Sequence, residues 1–160
     1  RDSILVLDAF NECIRKVCRS TRAVTTLVGR PHLNTFSNPT SMAMDMHGNL
    51  FVADFDGHCI RKVDKTTCTV TTIAGTGQSG EDPSESLLEE GPALEVAITY
   101  PTCVAIDAQG CLLFACAFGV RRIDLTAEVL EVEYPFPFYV GLNMFAMDGE
   151  GTLIGSDGHG

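Results

Sequence analysis

Two short strings, Asp56-Gly57-His58 and Asp157-Gly158-His159, put an imidazole two residues after a carboxylate, a pairing able to bind a metal or move a proton. An open zinc site needs three protein ligands and a vacant fourth position. The chain has four histidines, the other two being His32 after a proline and His47 in a glycine turn. His58 and His159 share local surroundings, as structural or solvated residues of related loops do. Aspartates also recur: Asp45, Asp107 and Asp148 stand before glycine-containing turns, and Asp8, Asp54 and Asp157 close the segments that follow. A ring of such acids has the hard oxygen character calcium takes, but none has the dense spacing of a calcium loop. The commoner work of an aspartate before a turn is to accept hydrogen bonds from turn amides. Seven cysteines show no metal-ligand spacing, and most lie in apolar runs, which fits a reducing compartment better than a disulfide framework. Serine-nucleophile and phosphate-loop motifs do not occur. The expectation is therefore no catalytic residue, no metal and no cofactor.

The segments that carry these residues repeat. Ile14-Arg15-Lys16-Val17 returns as Ile60-Arg61-Lys62-Val63, and the match at an offset of 46 extends from Asp8/Asp54 to Gly29/Gly75. Pro39-Thr40-Ser41-Met42-Ala43-Met44-Asp45 returns 62 residues on as Pro101-Thr102-Cys103-Val104-Ala105-Ile106-Asp107, and Val120-Arg121-Arg122-Ile123 answers the basic tetrapeptide again. A last, partial copy runs from Phe145 to Asp157. Periods of this size mark stacked-repeat architectures. Each unit reads as β: short branched apolar runs (Ile4 to Leu7, Leu50 to Ala53, Cys103 to Ile106, Leu112 to Ala115) separated by glycine turns. Their near-continuous apolar character predicts cover on both faces, whereas Val24-Thr25-Thr26-Leu27 and Val70-Thr71-Thr72-Ile73 read as outer strands with one wet face. The basic pairs Arg15-Lys16, Arg61-Lys62 and Arg121-Arg122 recur at one strand position, so pairing with carboxylates such as Asp54, or solvent exposure at blade rims, is expected of them.

Four strands per unit, inner ones sandwiched and the outer one amphipathic, describe an all-β propeller of about three four-stranded blades. The chain resembles the NHL-repeat family in Pro39, Met44-Asp45, Gly48-Asn49-Leu50, Val52-Ala53-Asp54, His58, Ile60-Arg61-Lys62-Val63 and Val70 to Gly75. Cys116 departs from the pattern where Asp54 would be matched. The units are a partial first blade at 1–30, a second at 39–75, an acidic insertion at 76–100, a third blade at 101–133 and a partial fourth at 141–160. Asp82, Pro83, Glu85 and Gly91 have the order of a helix cap, first turn and stop, which predicts one short helix near residues 83–90 in an otherwise solvated insertion.

The formal charge of −10, with 11 basic against 21 acidic residues, disfavours the RNA binding seen in some NHL proteins. No run is long and apolar enough to span a bilayer as a helix, so no membrane partner is expected. The chain opens on Arg1 without a charged-then-apolar leader and reads as an excised piece of something longer. Such an arc leaves strand edges and apolar faces uncovered. Either a homodimer completes a six-bladed ring, with one duplicated strand displaced at the joint, or the remainder lies in a longer chain. Tyr134 to Tyr139, with four aromatics, reads as a plug between blades. The loops that enter the innermost strands and those that follow the second strands fall on one rim, the expected binding surface: Asn38, Thr40, Phe55, Asp56, His58, Tyr100, Thr102 and Phe118. The reading is a non-catalytic module that binds a protein or peptide through that rim. The alternative that the resemblance implies is a metal-dependent six-bladed hydrolase or lyase with its site on the axis.

Overall fold

Both Ile-Arg-Lys-Val stretches are extended and sit in the same register, the first test a repeat must pass. In the computed structural model, which describes residues 2–29, 35–80, 89–117, 119–135, 142–147 and 153–157, four antiparallel sheets follow one another along the chain. The first holds β1 (Ser3–Asp8), β2 (Cys13–Cys18) and β3 (Val24–Val28); the second β4 (Pro39–Met44), β5 (Leu50–Asp54), β6 (Cys59–Val63) and β7 (Val70–Ala74). A two-residue strand, β8 (Gly91–Pro92), precedes β9 (Cys103–Ile106), β10 (Leu112–Cys116), β11 (Gly119–Asp124) and β12 (Val129–Pro135). The last pair is β13 (Leu142–Met147) and β14 (Leu153–Asp157).

Register carries the repeat into three dimensions. Ile4 faces Val17, Leu50 faces Val63 and Leu112 faces Ile123, one equivalent pair per sheet. The first three sheets also bulge at one equivalent place, between Ile14 and Arg15, Ile60 and Arg61, and Val120 and Arg121. A bulge re-aims the residue beside it and adds local twist. The arginine is that residue in each of these three sheets.

Cores form between blades by strict alternation along the second strand. Phe51 and Ala53 face the third sheet, where Leu112, Phe114, Ile123 and Leu130 meet them, while Leu50 and Val52 face Ile14 and Phe36 on the other side. Both β5 and β10 are buried along their whole length, as their continuous apolar sequence predicts. The innermost strands β4, β9 and β13 stand in succession side by side. This is face-to-face blade packing.

Three expectations need correction. Ile4 and Val6 of β1 are 46% and 43% exposed, because no innermost strand flanks β1 among the described residues. The third sheet has five strands, not four: β8 pairs with β12 through Pro92 and Val129. Proline is tolerated there because β8 is an edge. Finally, the insertion is not solvated throughout, since Ala93, Val96 and Ile98 are at most 5% exposed and join the core between the second and third sheets. Amide–carbonyl bonds from Gly75 to Ala93 (2.8 Å) and from Ala93 to Glu128 (2.9 Å) staple those blades together. The helix expected near 83–90 lies outside the described residues except for Glu89 and Glu90, which are not helical. Most of the aromatic stretch 134–139 lies outside them too.

Candidate functional site

The rim loops meet at a joint between two blades. After β5 ends at Asp54, the chain turns through Phe55 to His58, closed by the His58 amide on the Phe55 carbonyl at 3.3 Å. The loop is tied to the start of its own blade, with the Phe55 amide donating to Asn38 (3.2 Å) and that of Asp56 to Ser37 (3.0 Å). From the next blade Tyr100 reaches back. Its ring lies 4.8 Å from that of Phe55, tilted by 31°, and 4.7 Å from that of His58. The Tyr100 amide donates to His58 Nδ1 at 3.4 Å. Thr40 Oγ1 donates to the Pro101 carbonyl at 3.3 Å and crosses the same joint.

Of the eight residues expected on this rim, Phe55, His58 and Tyr100 are brought into direct ring contact. Asn38 and Asp56 are exposed and bonded to the cluster through backbone, and exposed Thr40 lies beside Pro101. Thr102 sits two residues beyond Tyr100, its amide on the Ala115 carbonyl at 3.0 Å. Phe118 lies outside the described residues. Asn38, His58 and Tyr100 all have left-handed φ values, 60°, 47° and 49°. Such backbone costs roughly 1–2 kcal/mol per residue and is held by the surrounding bonds. Sequence reasoning missed Thr99, whose carbonyl accepts the Ala117 amide and whose hydroxyl accepts that of Gly80. Its place opposite Ser37 in the repeat was the available signal.

Beneath the rim a polar triad sets the loop. Arg61 Nε donates to Asp54 Oδ2 at 3.1 Å and Arg61 Nη1 to Thr72 Oγ1 at 2.6 Å, while the other Asp54 oxygen accepts the Ser37 amide. Blade one repeats it with Arg15, Asp8 and Thr26 at 3.0 and 2.6 Å. Burial lifts the Asp54 carboxyl above its usual range, held back by the Ser37 amide and the Arg61 guanidinium. In blade three Cys116 replaces the acid and donates to the Gly119 carbonyl. There Arg121 turns to the Glu89 carbonyl, and Arg122 pairs with Asp107 at 3.3 Å.

Of the recurrent acids, Asp45 and Asp107, like Asp8 and Asp54, are committed to protein partners. Asp45 accepts from the Asn49 amide and side chain, both at 2.8 Å, and Asp107 from the Gln109 and Cys111 amides at 2.9 and 2.8 Å. His47 and His58 sit at opposite ends of β5, roughly 15 Å apart at about 3.3 Å per residue, and cannot share an ion. His32 and His159 lie outside the described residues. Among the described residues no three histidine, cysteine or acidic side chains gather as a metal set. Burial pushes the Cys59 thiol up to about 11, the behaviour of a packed hydrophobe.

Neither a protein-family model nor a curated protein matches the sequence. Solved structures do match in shape. This chain is a partial β-propeller. It is similar to a structural genomics protein of unknown function from Bacteroides thetaiotaomicron (TM-score 0.70, 15% identity), covering 98% of this chain and 42% of that one. It is also similar to virginiamycin B lyase from Staphylococcus aureus (0.66, 11%, covering 97% and 45%). A gluconolactonase from Xanthomonas campestris aligns as well (0.63, 15%, covering 94% and 43%). The chain thus spans less than half the length of these proteins, and at such identities the likeness is one of fold alone.

Proposed function

We propose that this segment is an NHL-type interaction module whose rim, centred on Tyr100, binds a protein or peptide. The observation that supports this reading is the contact of Phe55, His58 and Tyr100 across the blade joint, with Tyr100 still 37% exposed. Aromatic rings presented on a rigid frame supply large contact area at little entropic cost. Asp56 is exposed next to Phe55 in a strongly acidic chain, so the preferred partner carries a cationic side chain that can lie over the tyrosine face. Peptides selected from a random display library on the wild-type chain should be enriched in lysine and arginine. They should bind Tyr100→Ala about ten-fold or more weakly, the size of a hot-spot loss. Equal binding to wild type and to a Phe55→Ala/Tyr100→Ala variant would sink the reading.

The second reading, a metal-dependent lyase or hydrolase, takes its support from the enzyme propellers among the structural neighbours. Stoichiometric zinc or calcium retained by purified protein would favour it. Two copies completing a ring are also part of the proposal, since the edge of β1 is uncovered among the described residues and exposes Ile4 and Val6.

A further inference from the structure

A cleft of about 430 Å³ opens between the first and second sheets at the rim opposite Tyr100. Its position follows from strand direction: it takes in Ser3 at the start of β1, Met46 to Gly48 in the turn before β5, and Asp64 and Lys65 after β6. The base is apolar, formed by Leu5 and Leu27 of the first sheet and by Leu50 and Val63 of the second, the last two at 3% and 1% exposure. Met44 and Met46, 45% and 88% exposed, stand at its side with flexible thioethers that can fold over an apolar guest.

Two ammonium groups also line the cleft. Lys16 and Lys65 come from different sheets and are exposed, and neither is in an ion pair among the described residues. Two carboxylates line the cleft as well, each held by neutral donors. Asp64 Oδ1 accepts the Thr66 and Thr67 amides, each at 2.8 Å, and Asp2 accepts Ser20 at 2.7 Å. Gly48 has no side chain to block the Lys65 stem, which passes over it. With Asp2 and Asp64 on the same lining the cleft is balanced in charge, and its two lysines, in no ion pair among the described residues, are the groups able to meet an anion above the apolar base. Ligand clefts of a few hundred Å³ with an apolar lining and a few placed polar groups suit small molecules.

We infer that this inter-blade cleft is a second binding site, for a small amphipathic carboxylate whose apolar tail lies on Leu5, Leu27, Leu50 and Val63 and whose carboxylate meets Lys16 and Lys65. A phosphate diester or a nucleotide fits less well, because its larger polar and anionic surface would meet the carboxylates of Asp2 and Asp64 on the same lining. The site is independent of the Tyr100 rim, and β5 separates the two.

Sodium octanoate is the probe, read on the 160-residue chain by the methyl resonances of 13C-labelled methionine. Saturable shifts of Met44 and Met46 are expected with octanoate, and about ten-fold weaker binding of octan-1-ol, which has a comparable tail but no charge. Lys16→Gln with Lys65→Gln should weaken octanoate about ten-fold, the factor given by two solvent-facing charge contacts. Met46→Glu, at a position too exposed to affect folding, should weaken it by like-charge repulsion. Unmoved methionine signals, or binding that survives both the double lysine change and Met46→Glu, would overturn the assignment.

Discussion

Arg61 shows how much a single residue can be asked to do in this fold. The bulge beside it turns its guanidinium along the strand, where it joins Asp54 at the end of β5 to Thr72 on β7. The sequence pattern foretold that partnership, because the tetrapeptide and the aspartate recur together. It did not foretell the bulge, which no residue type in Ile-Arg-Lys-Val announces. Carboxylates elsewhere sit low. Asn11 and Arg15 hold Asp8 below its ordinary 3.8, and turn amides do the same for Asp64 and Asp124. A carboxyl lowered by folding gives stability that is present above 3.8 and withdrawn as the pH falls through the folded value. Asp54, lifted by burial, has the opposite sign: its contribution is full below 3.8 and lost as the pH rises through its folded value. Asp45, whose partial burial is outweighed by bonds from Asn49 and turn amides, makes four lowered groups to one raised, so the thermal midpoint should fall as the pH drops from about 5 to about 3. Asp64→Asn keeps the turn bonds but cannot titrate, and should flatten that slope. A midpoint that climbed on acidification would contradict this.

At the level of elements, alternation along β5 and β10 was readable, because a strand buried on both faces needs apolar residues at every position. Residues 91–98 were not. Ala93, Val96 and Ile98 follow neither a helical nor a strand period, and the acids around them advertise solvent. Only the neighbouring blades make them core. The rim cluster lies between these cases, since repeat position picked out Phe55, His58 and Tyr100 but could not show their rings touching. That contact depends on left-handed turns at His58 and Tyr100. Gly75 offers a test of how tightly elements are joined. With φ at 92° it closes on the His58 carbonyl, and an added Cβ would collide there. Gly75→Ala should cost about 1–3 kcal/mol in denaturant unfolding, whereas the same change at Gly110, which has open space beside it, should cost about 1. Equal losses at the two sites would remove the special role of Gly75.

Among the described residues the first sheet packs on the second and the second on the third, and β1 leaves an exposed flank. Strands with unpaired edges and apolar faces seek partners. If two copies close a ring, the solution mass of the 160-residue chain is twice 17.2 kDa, and Val6→Lys on the exposed flank returns it to the monomer value. A monomer at all concentrations would discard closure by self-association and leave the rim proposal untouched. Self-association was never legible, because that depends on neighbours and not on residues within these sheets.

The hydrogen bond from the Tyr100 amide to His58 Nδ1 joins residues that belong to different repeats. No single leaf can therefore display the surface, and copying a leaf would not copy it. A partner bound there, as proposed, would read the angle between two neighbours as well as their chemistry. Prising the pair slightly apart should then abolish that proposed binding long before it unfolded anything.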